Sequence, residues 1–283
     1  MEVPVSIGSG WTSTGNNFFV QYNGIIHGKR MVNATLTRIP NYYHYFFENE
    51  TVMGWLGGFR LFKADTEETL RRYVDELPIG YIIVNQDKAR PGQTEDILGR
   101  FNAMDFLCPV TVEGAAVLYA TASHPARCVS RTPPEIEPGL YQIDFGQPGD
   151  EFFVGLGFHR QEIIGGPAAR WLGFGDLTEA QIYVELPPGQ DYTLSLEATA
   201  FDHPRPLFIY AGEKLLGEFE ITDEGYGVYQ AELPVEVLGA NSQITLRLVY
   251  DDPVSAAELG LSGDERPIAI ALNWLRFVGD GAQ

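Results

Sequence analysis

Residues 192–200 carry the run Tyr192-Thr193-Leu194-Ser195-Leu196-Glu197-Ala198-Thr199-Ala200, in which apolar and polar side chains alternate. Because successive side chains of a strand point to opposite faces, this period of two predicts a β-strand with one buried face. A second alternating run covers residues 244–250, and turn signals separate the runs at 187–189, 211–213 and 224–225. From Gly139 onward, with no long helix after Pro138, the sequence predicts an antiparallel two-sheet β-sandwich of the jelly-roll type.

The first 124 residues have a different pattern, which alternates helices and strands. Leu70, Tyr73, Val74 and Leu77 recur at helical spacing behind a capping-box start at Asp65. The apolar run 81–84 is typical of a strand buried on both faces of a parallel sheet. A second helix over 94–101, then strands over 107–112 and 116–121, complete a small α/β domain. The predicted fold class is therefore α/β followed by all-β.

A proline-rich connection separates these two patterns. Its prolines are Pro125, Pro133, Pro134 and Pro138, and it shows no periodicity. Several prolines in one connection form a semi-rigid spacer. We therefore divide the chain into an α/β domain at 1–124, a linker at 125–138 and a β-sandwich at 139–283.

Charge and cysteine content limit the possible partners. The formal net charge is −19, with 10 basic against 13 acidic residues in 1–124 and 9 against 25 in the remainder. The negative electrostatic potential of such a chain repels the phosphate backbones of nucleic acids, so we expect no nucleic-acid partner. Cys108 and Cys128 allow one disulfide in an oxidising compartment, but two thiols suit the cytosol equally. The chain enters a strand directly, without a signal peptide or an apolar span, and we expect it to be a fragment.

A basic, glycine-interrupted segment from Tyr22 to Pro40 is the first candidate ligand site. The side chains that could donate hydrogen bonds to a phosphate or a sugar hydroxyl are those of His27, Lys29, Arg30 and Arg38. The alternative is that Arg38 anchors the loop while the other three are solvated.

A second candidate site lies in the sandwich. We predict a polar cluster around an indole, formed by Glu162, Arg170, Trp171, Asp264 and Arg266. The alternative is a buried ion network in which every group is hydrogen-bonded and which closes one end of the sandwich.

Catalytic and metal-binding patterns are weak. There is no Gly-x-Ser-x-Gly elbow and no Walker-type phosphate loop, and the spacing of Glu48 and Glu50 alone does not place a glycosidase pair across a cleft. The histidines are scattered, which disfavours zinc. Asp251, Asp252 and Asp264 could contribute to a calcium site or be ordinary loop acids. We predict no catalytic residue, no metal and no cofactor.

The first domain resembles the soluble tail that follows the last membrane helix of bacterial multi-pass glycosyltransferases. The family is similar to the dolichyl-phosphate-mannose protein mannosyltransferases, and the resemblance covers roughly residues 1–122. It rests on Tyr22 through His27-Gly28-Lys29 to Arg38-Ile39-Pro40, then on a helix leading into Ile79-Gly80-Tyr81-Ile82-Ile83-Val84. The resemblance implies an extracytoplasmic fragment, tethered through an absent transmembrane portion of the same polypeptide, without the active site.

The second domain resembles jelly rolls of the galactose-binding-like or carbohydrate-binding-module type. The matching residues are Gly157-Phe158, Glu162, Arg170-Trp171 and the run Gly263–Pro267 ahead of Ile268–Phe277. Together the resemblances imply a non-catalytic accessory region that recognises a carbohydrate or lipid-linked sugar, or docks a partner. Two rivals stay open: a secreted glycoside hydrolase with its own binding module, and a structural module without any ligand.

Overall fold

The computed structural model describes residues 2–3, 49–77, 79–88, 92–122, 128–238 and 242–280. The chain divides into two compact units. The N-terminal unit contains Met1–Ile97 and Ala103–Val129, and the C-terminal unit contains Leu98–Asn102 and Ser130–Gln283. The finer division at 124 and 139 stays a prediction.

The described residues up to 122 include three helices and a mixed four-stranded sheet. The helices are α1 Thr51–Leu56, α2 Thr66–Glu76 and α3 Gln93–Ala103, and a 3₁₀ turn covers Gln86–Lys88. The strands are β1 Glu2–Val3, β2 Tyr81–Asn85, β3 Leu107–Glu113 and β4 Ala116–Thr121, in the order β1-β2-β4-β3. Strand β1 runs parallel to β2, and the other pairs are antiparallel.

Two details of this region differ from the sequence prediction. The run 81–84 is not the centre of a parallel sheet, because β2 pairs antiparallel with β4 and its residues alternate between buried and half-buried. The side chain of Asp65 makes no capping hydrogen bond, because its backbone is helical rather than extended. The Thr66 hydroxyl instead accepts from the Lys63 amide at 2.9 Å.

A disulfide joins Cys108 and Cys128, whose Cα atoms are 5.4 Å apart. The sequence left this pairing open. Just beyond it, residues 135–137, which the sequence placed in the linker, form a short edge strand on the sandwich.

The C-terminal unit is an antiparallel β-sandwich, which confirms the predicted fold class. Its strands are β5 Glu135–Glu137, β6 Leu140–Asp144, β7 Phe158–Ile163, β8 Ala168–Leu172, β9 Glu179–Glu185, β10 Tyr192–Ala200, β11 Arg205–Ala211, β12 Lys214–Ile221, β13 Gly227–Leu233, β14 Gln243–Tyr250, β15 Val254–Ser255, β16 Pro267–Ile268 and β17 Ile270–Gly279. Between them lie 3₁₀ turns at Asp150–Phe152 and Phe174–Asp176 and one short helix, α4 Val235–Leu238.

Two sheets enclose the core. The larger sheet has the order β13-β10-β17-β6-β5, with β8 also paired to β17 and β7 paired to β8; the smaller has the order β12-β11-β14-β9. The predicted alternation in β10 is confirmed, because Tyr192, Leu194, Leu196 and Ala198 are all buried in the core between the sheets. The residues between them point away from the core, onto the outer face of the larger sheet.

Candidate functional site

The outer face of the larger sheet carries two rows of side chains that run across its strands. In the first row, paired positions on β13, β10, β17 and β6 are Val228, Glu197, Trp274 and Asp144. In the second row, two residues along each strand, they are Gln230, Ser195, Arg276 and Gln142. We call these eight residues the Trp274 face.

Trp274 is the large aromatic residue at the centre of this face. Its ring is half-buried, and the Cζ atom of Arg276 lies 4.0 Å from the ring centroid. Arg276 Nε also donates to Gln142 Oε1, and Gln142 Nε2 donates to Asp144 Oδ1. The guanidinium is thus fixed between the indole and an amide, while Asp144 is exposed at one edge. Because the guanidinium covers one face of the indole, the apolar surface that the ring offers a ligand is its edge and its other face, next to the amide and carboxylate groups of Gln142 and Asp144.

The side of the face nearer β13 is also lined by polar groups. Asn273 Nδ2 donates to Glu197 Oε2, and Gln230 Nε2 donates to Ser195 Oγ at 3.1 Å. Ser195 is buried among its larger neighbours, so it forms the floor of the face. These carboxylate and amide groups keep further lone pairs and N–H groups for a ligand.

The β7–β8 hairpin forms a wall along one side of the face. Strand β8 leaves β17 beyond Ala271 and Leu272, and the hairpin tip reaches Tyr226, whose hydroxyl donates to Ile164 O at 3.2 Å. Because Tyr226 precedes β13, on the far side of β10, the tip must pass over the outer face. Burial and the nearby Glu197 carboxylate raise the pKa of Tyr226 to about 12, so its hydroxyl stays protonated as the donor.

The predicted cluster in the sandwich assembles only in part. Arg266 forms a paired hydrogen bond with Glu162 and another with Asp264, with an Nη2–Oδ2 distance of 2.6 Å. These hydrogen bonds lower the pKa of Asp264 to about 2. All three side chains are about one-third to two-fifths exposed, so the network is satisfied but not buried.

Arg170 and Trp171 belong to different surroundings. Adjacent residues of β8 point to opposite faces, and Arg170 points inward, where Nε and Nη2 each donate to Asp150 at 2.6 Å. Both members of this pair are almost completely buried. Trp171 packs edge-to-face on Phe201, with 5.8 Å between the ring centroids. The prediction that Arg170 joins the Asp264–Arg266 cluster is therefore wrong, because strand alternation separates it from its expected partners.

The remaining sequence candidates have other outcomes. His27, Lys29, Arg30, Arg38 and Glu48 lie outside the described residues. The carboxylate of Glu50 accepts from the Met53 amide at the start of α1 and from Tyr73, whose pKa is raised to about 12 by burial and by this hydrogen bond. This capping role gives Glu50 a structural function.

The proposed calcium ligands are also engaged by protein groups. Asp251 Oδ1 accepts from the buried Arg205 at 2.9 Å, and Asp252 contributes its backbone oxygen to the same guanidinium at 2.8 Å. Asp264 is held by Arg266. Within the described ranges, no three His, Cys, Asp or Glu side chains come together as a metal-binding group. None of the helices described there is long and apolar enough to cross a membrane.

The smaller sheet offers a useful contrast on its own outer face. There Tyr210 lies beneath Arg247, with 5.5 Å from Cζ to the ring centroid, and Arg247 is paired with Glu179 at 2.9 Å. This pairing lowers the pKa of Glu179. The arginine–aromatic pair resembles that of the Trp274 face, but no hairpin wall stands beside it among the contacts described.

The sequence prediction missed Trp274 because it used Ile268–Phe277 only as part of the resemblance to jelly rolls and did not ask which of these residues face the solvent. The signal was present: Trp274 and Arg276 alternate with Leu275 and Phe277. Once Leu275 and Phe277 are assigned to the core, Trp274 must point outward. Its contacts with Arg276 and, through Arg276, with Gln142 are what make Trp274 a candidate binding residue, and these contacts depend on strand pairing.

Fold and site together define a β-sandwich module with a tryptophan-centred, polar outer face. No protein-family model matches the chain, and no curated protein matches its sequence. Among solved structures, the chain is similar to the C-terminal family 6 carbohydrate-binding module of a marine laminarinase from Zobellia galactanivorans, with 13% identity, a TM-score of 0.31 and coverage of 49% of this chain and 98% of that one.

Two further solved structures show similar values. The xylan-binding family 22 module from Paenibacillus barcinonensis has 8% identity, a TM-score of 0.35 and coverage of 53% of this chain and 97% of that one. A family 36 module of a xylanase from the hindgut metagenome of Trinervitermes trinervoides has 12% identity, a TM-score of 0.32 and coverage of 50% and 98%. At these scores the likeness supports no assignment of ligand, so the functional argument below rests on the Trp274 face.

Proposed function

We propose that the C-terminal unit is a non-catalytic glycan-recognition module that binds carbohydrate on the Trp274 face. The observation that carries the proposal is the half-buried indole on the outer face, which lies under Arg276, is flanked by Gln142 and Glu197 and is bounded by a hairpin wall. Sugars are bound by aromatic contact with their C–H faces and by side-chain amides and carboxylates that hydrogen-bond their hydroxyls.

A non-catalytic role follows from the chemistry of the face. The two carboxylates of the face, Asp144 and Glu197, already accept hydrogen bonds from the amides of Gln142 and Asn273, and Trp274 lies between them in the row. Glycoside hydrolysis needs two carboxyl groups that face each other across the scissile bond. The arrangement therefore suits recognition better than bond cleavage.

The wider setting that we propose is extracytoplasmic, as an accessory region of a membrane glycosyltransferase. The Cys108–Cys128 disulfide supports an oxidising compartment. The link to a glycosyltransferase rests on the sequence resemblance of residues 1–122. Fractionation of cells that make the native protein tests the tether: recovery in the detergent-extracted membrane fraction supports it, and recovery in the culture medium contradicts it.

The glycan proposal is tested by array binding of the intact chain, with Trp274→Ala and Tyr210→Ala beside it. Tyr210 is the matched control, since it also lies under an arginine but on the other sheet. We expect binding to at least one glycan, more than about tenfold weaker in Trp274→Ala and unchanged in Tyr210→Ala. Unchanged binding in a folded Trp274→Ala variant contradicts the proposal, and silence across the array favours a purely structural module.

A further inference from the structure

We propose that the Trp274 face takes a neutral, unbranched glycan segment that runs across the strands rather than along them. This inference rests on the proposed function and adds the direction, length and charge class of the ligand. It follows from the register of the two rows, the position of the hairpin and the charges around the indole.

The direction follows from what bounds the face. Along the strands, the next outward positions beyond the first row are Thr199 and Ala271, which are 8% and 0% exposed. The β7–β8 hairpin passes over this part of the sheet, with its tip fixed by the Tyr226 hydroxyl. A chain laid along β17 over Trp274 would therefore run into the wall.

Across the strands, the same face is open at both ends. Val228 on β13 is 55% exposed, and Asp144 on β6 is also exposed. From β13 to β6 there are three interstrand spacings, or roughly 14 Å, a length that about three pyranose rings fill. A glycan that lies beside the wall can therefore enter and leave at both edges, so the face binds internal segments as well as chain ends.

The charge class follows from the acidic groups along this path. Asp144 and Glu197 both lie in the first row, on either side of Trp274. The cation of the face is Arg276, which is already held by Gln142 and the indole. Carboxylates accept hydrogen bonds from neutral hydroxyls, but they repel the carboxylates of uronic acids. The chain's net charge of −19 acts in the same direction.

The direction and length are tested by calorimetry of the full chain with neutral gluco-, xylo- and manno-oligosaccharides, from mono- to hexasaccharides. We expect affinity to rise up to about the trisaccharide and then to level. Gln230→Ala and Asp144→Ala, at the two ends of the transverse path, should each weaken trisaccharide binding by about three- to tenfold. Thr193→Ala is the matched control, because it continues the face along β10, and it should have no effect.

The preference for neutral over acidic glycans is tested with oligogalacturonates of the same lengths. We expect them to bind at least about tenfold more weakly than the best neutral series at low salt, with a smaller gap at high salt. Equal or tighter uronate binding overturns the inference, as does a plateau at the monosaccharide or a larger loss in Thr193→Ala than in Gln230→Ala. In those cases loss of binding in Trp274→Ala still upholds the proposed function. Binding that persists in Trp274→Ala, or no binding by any oligosaccharide, overturns both.

Discussion

Replacing Asp150 with Asn tests the buried ion pair that joins the 3₁₀ turn 150–152 to β8. The carboxylate receives two hydrogen bonds of 2.6 Å from Arg170, and the two side chains are only 1% and 5% exposed. The substitution keeps the shape of the side chain but removes the carboxylate that hydrogen-bonds the guanidinium, and it leaves Glu151, with Oε1 4.0 Å from Arg170 Nη2, as the nearest remaining counter-ion.

The magnitude follows from two estimates. Unit charges about 4 Å apart attract by roughly 4 kcal/mol at an effective dielectric constant of about 20. Breaking a buried pair by removing one partner costs about 3–5 kcal/mol. With a urea m-value of about 2 kcal/mol per M, the midpoint of unfolding should fall by roughly 2 M.

Urea denaturation of the full chain, followed by tryptophan fluorescence and circular dichroism, measures this shift. The exposed pair supplies the control: Arg266→Gln should cost less than about 1 kcal/mol, since surface pairs contribute little. The triple variant Asp150→Leu, Glu151→Gln, Arg170→Met should recover part of the loss, because it removes all three buried charges. Equal midpoints for Asp150→Asn and Arg266→Gln would refute the reasoning.

Three further predictions concern single features. Reduction of the Cys108–Cys128 disulfide should destabilise the N-terminal unit by about 3 kcal/mol, the chain-entropy value for its sequence separation of 20, as measured by thermal unfolding with and without reductant. Hydrogen bonds from Arg266 hold the pKa of Asp264 in the folded chain at about 2, below its ordinary value of 3.8. The ionised carboxylate therefore contributes to the free energy of unfolding above pH 4, and this contribution is lost as the pH falls toward 2. In Arg266→Gln, the free energy of unfolding should change less between pH 4 and pH 2. Gly157→Ala should cost at least about 2 kcal/mol in urea unfolding, since Gly157 has φ +93° and an added Cβ would lie 2.4 Å from a backbone oxygen.

Each of these has an outcome that contradicts it. An unchanged melting temperature after complete reduction would show that the disulfide does not contribute to the stability of the N-terminal unit. Identical acid profiles for the parent chain and Arg266→Gln would show that Asp264 does not contribute. For the glycine, Gly189→Ala is the control, because Gly189 has a similar φ of +89° but open space around it; an equal cost at both positions would mean that contact at Gly157 adds nothing.

Much of the fold could be predicted from local sequence pattern. The alternation in residues 192–200 and 244–250 specified strands with one buried face, and the apolar spacing around Leu70 and Val74 specified a helix. These patterns succeed because the periods of strand and helix are properties of the backbone itself. The run 81–84 was misassigned because a short apolar segment has the same appearance in parallel and antiparallel pairing.

The candidate site depended far more on tertiary structure. Sequence grouped Arg170 with Asp264 and Arg266, yet Arg170 points into the core toward Asp150, which the sequence did not single out. Nothing in the spacing of Asp150 and Arg170 predicts their contact, because it depends on how a 3₁₀ turn is placed against a strand. The sequence likewise does not specify that Cys108 and Cys128 pair. Their disulfide depends on how the folded chain places Cys108, on β3, next to Cys128.

By itself, then, the amino-acid sequence determined which side of most strands faces the core, but not that Trp274 points outward. Ile270 and Leu272, at the same parity, lie in the core, and a β-bulge opposite Glu197 and Ala198 turns Trp274 to the other face. Only the tertiary structure decided what surrounds it. Glu197, Asp144 and Gln142 come from strands far apart in the chain, and the register of β10 and β6 against β17 places them around the indole. Register across non-local strands depends on the packing of the whole core, so a local pattern cannot specify it.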